Sequence, residues 1–98
     1  MKRISVDELA DRSDLVLIDV REPDEYAAGH VPHARNVPLG SVTRRAAELA
    51  TFSPLAVICQ SGRRSAQAVE ALEVVGVHAV NVDGGTTAWA AAGRVLES

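Results

Sequence analysis

The chain has 98 residues, a formal net charge of −3 and 47% apolar residues. That length fits one domain, residues 1–98 with its core over about 5–93, and excludes two. The apolar content suits a packed globule rather than a disordered chain, and an acidic balance without a basic tail argues against a general nucleic-acid binder.

With one Phe, one Tyr and one Trp, the core must be built from Val, Leu, Ile and Ala. The single cysteine excludes an internal disulfide and a cysteine zinc cage within one chain. The segment from Met1 to Glu8 turns acidic before any apolar run develops, so no signal peptide is expected, and nothing approaches transmembrane length. The expectation is a soluble cytoplasmic protein with no membrane partner; a lone free thiol is compatible with that reducing compartment.

Ser5 with Glu8 three residues on forms a capping box, which opens a short helix to about Arg12. Leu15-Val16-Leu17-Ile18 is a continuous apolar run, as in a strand buried on both faces, and Asp19 ends it. Glu22-Pro23-Asp24-Glu25 starts a second helix, with Pro at its first position and acids in its first turn, and Gly29 stops it. Ala34 to Val37 reads as a short strand between two prolines. Ser41 to Ala50 reads as a helix with Val42, Ala46, Leu49 and Ala50 on one face. Leu55-Ala56-Val57-Ile58 is another buried strand, and Cys59 sits just past its end. From Gly62 a helix runs to about Gly76, with Gln67, Glu70 and Glu73 on one side and Val69, Leu72 and Val75 on the other. Ala79 to Val82 is a further strand. Asp83-Gly84-Gly85 turns the chain, and Thr86 to Ala92 forms a last helix around Trp89.

Strand and helix alternate, with no repeat or linker. That order implies an α/β fold: a central, mostly parallel sheet flanked by helices on both faces. Ligands in such sheets bind beyond the carboxyl ends of the strands. Three strands end in Asp19, Cys59 and Asp83, so these residues are expected along one sheet edge.

The segment Cys59-Gln60-Ser61-Gly62-Arg63-Arg64-Ser65 carries the chemistry. A thiol attacks as its thiolate, and an unperturbed cysteine is mostly protonated at neutral pH. Cys59 precedes a helix, whose N-terminus carries partial positive charge. Gly62 lets the loop curl so that successive backbone N–H groups point inward as an anion nest. Arg63 and Arg64 add fixed charge where the helix dipole disfavours cations, and local rules tend to be broken where function requires it. Converging N–H donors and guanidinium groups suit an oxyanion beside the sulfur. The expected chemistry is thiolate attack on a sulfur compound with an anionic leaving group. The plain alternative, a buried core thiol, does not account for a polar, doubly basic loop.

These residues resemble the active-site loop of the rhodanese-like sulfurtransferases. Leu17-Ile18-Asp19-Val20-Arg21-Glu22, followed by Glu25-Tyr26 and Gly29-His30-Val31-Pro32-His33-Ala34, looks like that family's first motif block. Asp83-Gly84-Gly85 with Trp89 and Gly93 looks like its last. The resemblance runs from about Ser5 to Gly93, in three blocks in the right order. It implies a single rhodanese-like domain that transfers sulfur from thiosulfate or a related anion to cyanide or a thiol, with a protein acceptor left open. It implies Cys59 as the nucleophile that carries a persulfide, and backbone amides of Gln60 to Arg64 around that persulfide. Arg64 closes the loop, Ser61, Arg63 and Ser65 complete it, and Asp19 and Arg21 border the site in a structural or orienting role. No metal or organic cofactor is required.

His30 sits where the chain re-enters the sheet, which reads as a packing histidine whose ring bonds the backbone of a strand rather than a proton donor. His33 and His78 read as surface residues, and the three histidines lack metal-ligand spacing. Asp83 reads as a turn residue and Trp89 as a core anchor. Two other functions compete. A phosphatase or arsenate reductase grips an oxyanion with an Arg six positions after the Cys; that position here is Ser65, and Arg64 comes one residue early. A non-catalytic interaction module commonly loses the Cys, whereas this chain keeps it with an intact basic loop; a role as a sulfur carrier to a protein partner, with little free turnover, stays open.

Overall fold

The computed structural model describes all 98 residues. The chain runs β1 (Lys2–Ile4), α1 (Val6–Ala10), β2 (Val16–Asp19), α2 (Pro23–Ala28), β3 (Arg35–Asn36), a 3₁₀ turn (Leu39–Ser41), α3 (Ala46–Ala50), β4 (Leu55–Ile58), α4 (Arg63–Val74), β5 (Ala79–Val82) and α5 (Gly85–Ala91). The sheet order is β1-β5-β4-β2-β3, and every pair is parallel. All carboxyl ends therefore lie at one edge, which places the residues after β2, β4 and β5 side by side, as the pattern of alternation predicts.

β4 is the central strand, and all four of its residues are buried. Alternation along a strand sends successive side chains to opposite faces. Leu55 and Val57, with Cys59 continuing the same parity, join Ile18, Val20, Leu49, Val69 and Leu72 under α3 and α4. Ala56 and Ile58 face the other way, into a second core with Leu9, Leu17, Val82 and Trp89 under α1 and α5. The sheet is thus covered on both faces, and Trp89 anchors the second core while its indole N–H donates to the Val95 carbonyl at 2.9 Å.

The Ser5–Glu8 capping box is formed in both directions. α4 ends in a Schellman motif: the Val77 N–H reaches the Leu72 carbonyl and the Gly76 N–H reaches that of Glu73, with Gly76 at φ +82°. This capping corrects one expectation. Val75 was expected on the buried side, but it lies past the last helical turn and is exposed, and Val77 takes the buried place. The expected helix over Ser41–Ala50 is also shorter. The α3 residues are helical, but 42–45 form tight turns, with the Arg45 N–H shared between Ser41 and Val42 and the Ala46 N–H bonded to Thr43. The β-branched pair Val42-Thr43 is a weak helix former, and the turns still bury Val42, Ala46 and Leu49, leaving Ala50 exposed. β1 was not foreseen. It is an edge strand of three residues in which only Ile4 turns inward, so no apolar run marks it.

Gly85 begins α5 at φ +57°, and a Cβ there would overlap the carbonyl oxygens of Cys59 and Gln60. Gly85→Ala is therefore expected to cost about 2 kcal/mol or more, roughly a 10 °C fall in Tm for a domain of this size. Gly40→Ala, where a Cβ meets nothing within 4 Å, should leave Tm nearly unchanged. Equal melting of the two variants in a thermal scan would refute the close approach.

Candidate active site

Cys59 leaves β4 at the carboxyl edge and is 1% exposed. Residues 60–62 curl back toward it, and Gly62 closes the curl in the left-handed region at φ +101°. The Gly62 N–H points at Sγ over 3.0 Å, and the buried Ser65 hydroxyl, one turn into α4, donates to the same sulfur over 3.4 Å. Burial pushes the Cys59 thiol up. The Ser65 hydroxyl and the backbone N–H groups of Ser65, Gly62 and Ser61 outweigh it and hold the thiol below its ordinary value.

The back of the loop is tied to α5. The Thr86 N–H and hydroxyl both donate to the Cys59 carbonyl, over 2.9 and 3.0 Å, and the Thr87 N–H donates to the Gln60 carbonyl over 3.0 Å. Asn81, buried on β5, donates to the Gly62 carbonyl over 3.2 Å. Thr86, Thr87 and Asn81 were not singled out in the sequence. Their signal was weak: two threonines at a helix start and one polar residue in a strand.

Asp19 and Arg21 lie beside this loop, both buried. The Arg21 guanidinium binds the Asp19 carboxylate through Nε and Nη2, with Nη2–Oδ2 at 2.9 Å. Nη2 also donates to the Gly29 carbonyl over 2.8 Å, and Nη1 reaches Gln60 Oε1 over 3.4 Å. Asn36 donates to the Asp19 and Arg21 carbonyls and fixes the corner from the other side. The pair thus connects the end of β2, the end of α2 and the Cys59 loop.

The two loop arginines part ways. Arg63 is exposed. Arg64 forms a fork-to-fork pair with Glu25 of α2, at 2.7 and 2.9 Å. The pairing with Glu25 raises the Arg64 pKa against its burial, with the Cys59 thiolate and Asp19 adding to the rise. Arg64 therefore stands near the sulfur, but its charge is already matched. Glu25 belongs to the first motif block, yet no sequence spacing revealed this partner.

Asp83 is exposed at the turn after β5, where its N–H bonds the Ile4 carbonyl. His30 packs flat on Tyr26, with ring centroids 3.7 Å apart, and its Nδ1 is 2.8 Å from the Tyr26 carbonyl. It packs as expected, but its backbone partner lies in α2 rather than in a strand. His33 and His78 are exposed.

The Arg64 fork and the Glu22 N–H hold the Glu25 carboxyl well below 4.5, at about 2. A depressed carboxyl contributes stability that is complete above its unfolded value and lost as pH falls through its folded one. The unfolding free-energy difference between the natural chain and Glu25→Gln should therefore be full above about pH 4.5 and shrink toward about pH 2. Urea titrations at several pH values measure it. A difference independent of pH would mean that the ion pair adds nothing through its charge.

The chain is similar to known proteins over nearly its whole length. The model of one protein family, described as Rhodanese-like domain, matches residues 4–92. The thiosulfate sulfurtransferase GlpE of Pseudoalteromonas translucida (strain TAC 125) is 35% identical over 86 residues, 87% of this chain and 82% of that protein. The uncharacterized protein YqhL of Bacillus subtilis (strain 168) is 40% identical over 74 residues; the match takes 74% of this chain but only 59% of YqhL. The crystal structure of a rhodanese-related protein from Thermoplasma volcanium superposes with a TM-score of 0.92 at 32% identity, covering 99% of this chain and 98% of that one.

Proposed function

Because this chain belongs to the rhodanese-like domain family, we propose that it is a sulfurtransferase whose Cys59 takes a sulfane sulfur from thiosulfate or a related anion and passes it to cyanide or a thiol. The observation that carries this reading is the buried Cys59 Sγ, met by the Gly62 N–H and the Ser65 hydroxyl. These donors favour a thiolate and would equally cradle a second sulfur atom bound to it.

In the first step the Cys59 thiolate attacks the outer sulfur of thiosulfate. The new Sγ–S bond forms as the donor's S–S bond breaks, and its electron pair leaves with sulfite. In the second step a nucleophile takes the outer sulfur, and the electron pair of the broken bond returns to Cys59. The enzyme ends as it began, so ping-pong kinetics follow. Arg64, matched by Glu25, contributes placed N–H groups at the loop rather than a free cation. Two features weigh against phosphoryl or arsenate chemistry: Ser65 stands where those loops need an arginine, and the fork of Arg64, one residue early, is taken by Glu25. The reading places the protein in the cytoplasm, a reducing compartment with which a lone free thiol is compatible.

Thiosulfate should raise the intact mass by one sulfur atom, cyanide should return it, and Cys59→Ser should take up nothing. An adduct that persists in Cys59→Ser would overturn the assignment. The pH profile offers a second check. Thiolate absorbance should report a Cys59 pKa below that of a free cysteine, and Ser65→Ala, which removes one donor, should move it up. An unshifted profile in both proteins would refute the role of the donor cradle.

A further inference from the structure

The edge of the sheet opposite Cys59 carries a groove that the sulfur chemistry does not use. It holds about 520 Å³ and opens between the end of α1, with Leu9 and Arg12, and the loop into β3, with Val31, His33 and Arg35. Leu17 and Trp89 also line it, so the rim of the second core forms an apolar floor. Arg12 and Leu15 line a second cavity as well, of about 670 Å³, where Lys2, Arg3 and His78 stand with one acid, Glu73. Together the two cavities follow the amino ends of β1, β5, β4 and β2.

Positive charge is concentrated here against the balance of the chain. The net charge is −3, yet Lys2, Arg3, Arg12 and Arg35 line these cavities against the single carboxylate of Glu73. Five of the ten Lys and Arg side chains are held in ion pairs. Lys2, Arg3 and Arg35 are three of the five that are not. Arg12 is forked to Asp14, at 2.8 and 2.9 Å. Arg35 lies over the Phe52 ring, 4.6 Å from its centroid, and meets no carboxylate. The backbone adds an independent sign. His33 has φ +71° and is the one residue other than glycine with positive φ. A glycine takes this conformation freely, whereas a side chain there is strained. The imidazole is exposed at the groove and contributes nothing to the core. Strain kept at an exposed, groove-lining side chain points to a contact made outside the chain.

We propose that this groove docks an acidic segment of a partner protein. A bulky apolar side chain of that segment seats on Leu17, Val31 and Trp89. Flanking carboxylates meet Arg35 and His33, then Arg3 and Lys2 along the edge. Charge complementarity of this kind steers and orients a partner. Each cavity alone has the size of an organic ligand's pocket, so unpaired cations spread over both suit an extended chain rather than one small anion. A nucleic acid fits less well, because a chain of net charge −3 repels a polyanion and phosphates have no use for an apolar floor. A partner bound here leaves Cys59 open at the other edge, and the inference stands whether or not Cys59 carries sulfur.

Trp89 is the only tryptophan, so its emission reports this groove directly. The probe is the peptide Glu-Asp-Glu-Leu-Phe-Glu-Asp-Glu, titrated into the full chain at low and at physiological salt. Emission should change saturably, and affinity should fall as salt screens the carboxylates. The same peptide with Ser-Ser in place of Leu-Phe should bind roughly tenfold more weakly. Arg35→Glu and, separately, Arg3→Glu should each weaken the first peptide roughly tenfold. His33→Gly should weaken it severalfold without lowering Tm, because glycine takes that φ freely. Equal binding of the two peptides, or equal binding by the natural and both charge-reversed proteins, would overturn the docking site. So would the absence of saturable binding, or tighter binding of an oligouridylate of the same length, which would assign the surface to RNA. A lower Tm in His33→Gly with unchanged peptide affinity would overturn the part given to His33.

Discussion

The site depends on where two carbonyl groups point. A trans peptide places its N–H and C=O on opposite sides. The carbonyls of Cys59 and Gln60 are drawn outward by the N–H groups of Thr86 and Thr87 and by the Thr86 hydroxyl. With those carbonyls engaged at the back, the loop's N–H groups are free to turn toward the sulfur. The arrangement requires α5 to approach the loop so closely that its first residue has no room for a side chain, and Gly85 meets that requirement. The cradle around Cys59 is therefore built by two helices. α4 supplies Ser65, and α5 sets the direction of the loop.

Charge plays a different part from the one the arginines suggest. The Asp19–Arg21 pair is buried, so desolvation offsets much of its attraction, but removing one partner would leave a bare buried charge at a cost of roughly 3–5 kcal/mol. Its value is positional: Arg21 joins β2, Gly29 and Gln60 through one rigid fork. The Glu25–Arg64 pair, about one third exposed, is screened by solvent and contributes less, but it links α2 to the start of α4 across the site. With both guanidinium groups matched by carboxylates, the thiolate is favoured mainly by oriented N–H and O–H dipoles.

Much of this was legible in the sequence for identifiable reasons. Buried parallel strands read as apolar runs, unbroken in β2 up to Asp19 and in β4 and interrupted only by Asn81 in β5, so all three were apparent, and parallel order alone put Asp19, Cys59 and Asp83 at one edge. Gly62 and Gly76 marked turns that demand positive φ. What escaped had no local signature. β1 buries a single residue. The turns at 42–45 show the same apolar spacing as a helix, since both bury Val42 and Ala46. The Glu25–Arg64 and Thr86–Cys59 contacts join residues 39 and 27 positions apart, and no periodicity encodes such pairings.

The pairing of Arg64 bears on what the loop can carry. A transferring phosphoryl group spreads its charge over three oxygens and calls for cationic clamps. A persulfide puts a single charge on a terminal sulfur, which a few N–H dipoles can meet. This loop has the second kind of equipment: a glycine N–H at 3.0 Å, a buried serine hydroxyl, and an arginine held by its own carboxylate. Ser65 bears on the question twice, because it occupies the position where a phosphatase loop needs its arginine and turns its hydroxyl to the sulfur instead. On the proposed reading, the matching of Arg64 by Glu25 also suits turnover. A site that gripped sulfite with unpaired guanidinium groups would release it slowly, whereas dipoles aimed at Sγ favour the sulfur that stays over the anion that departs.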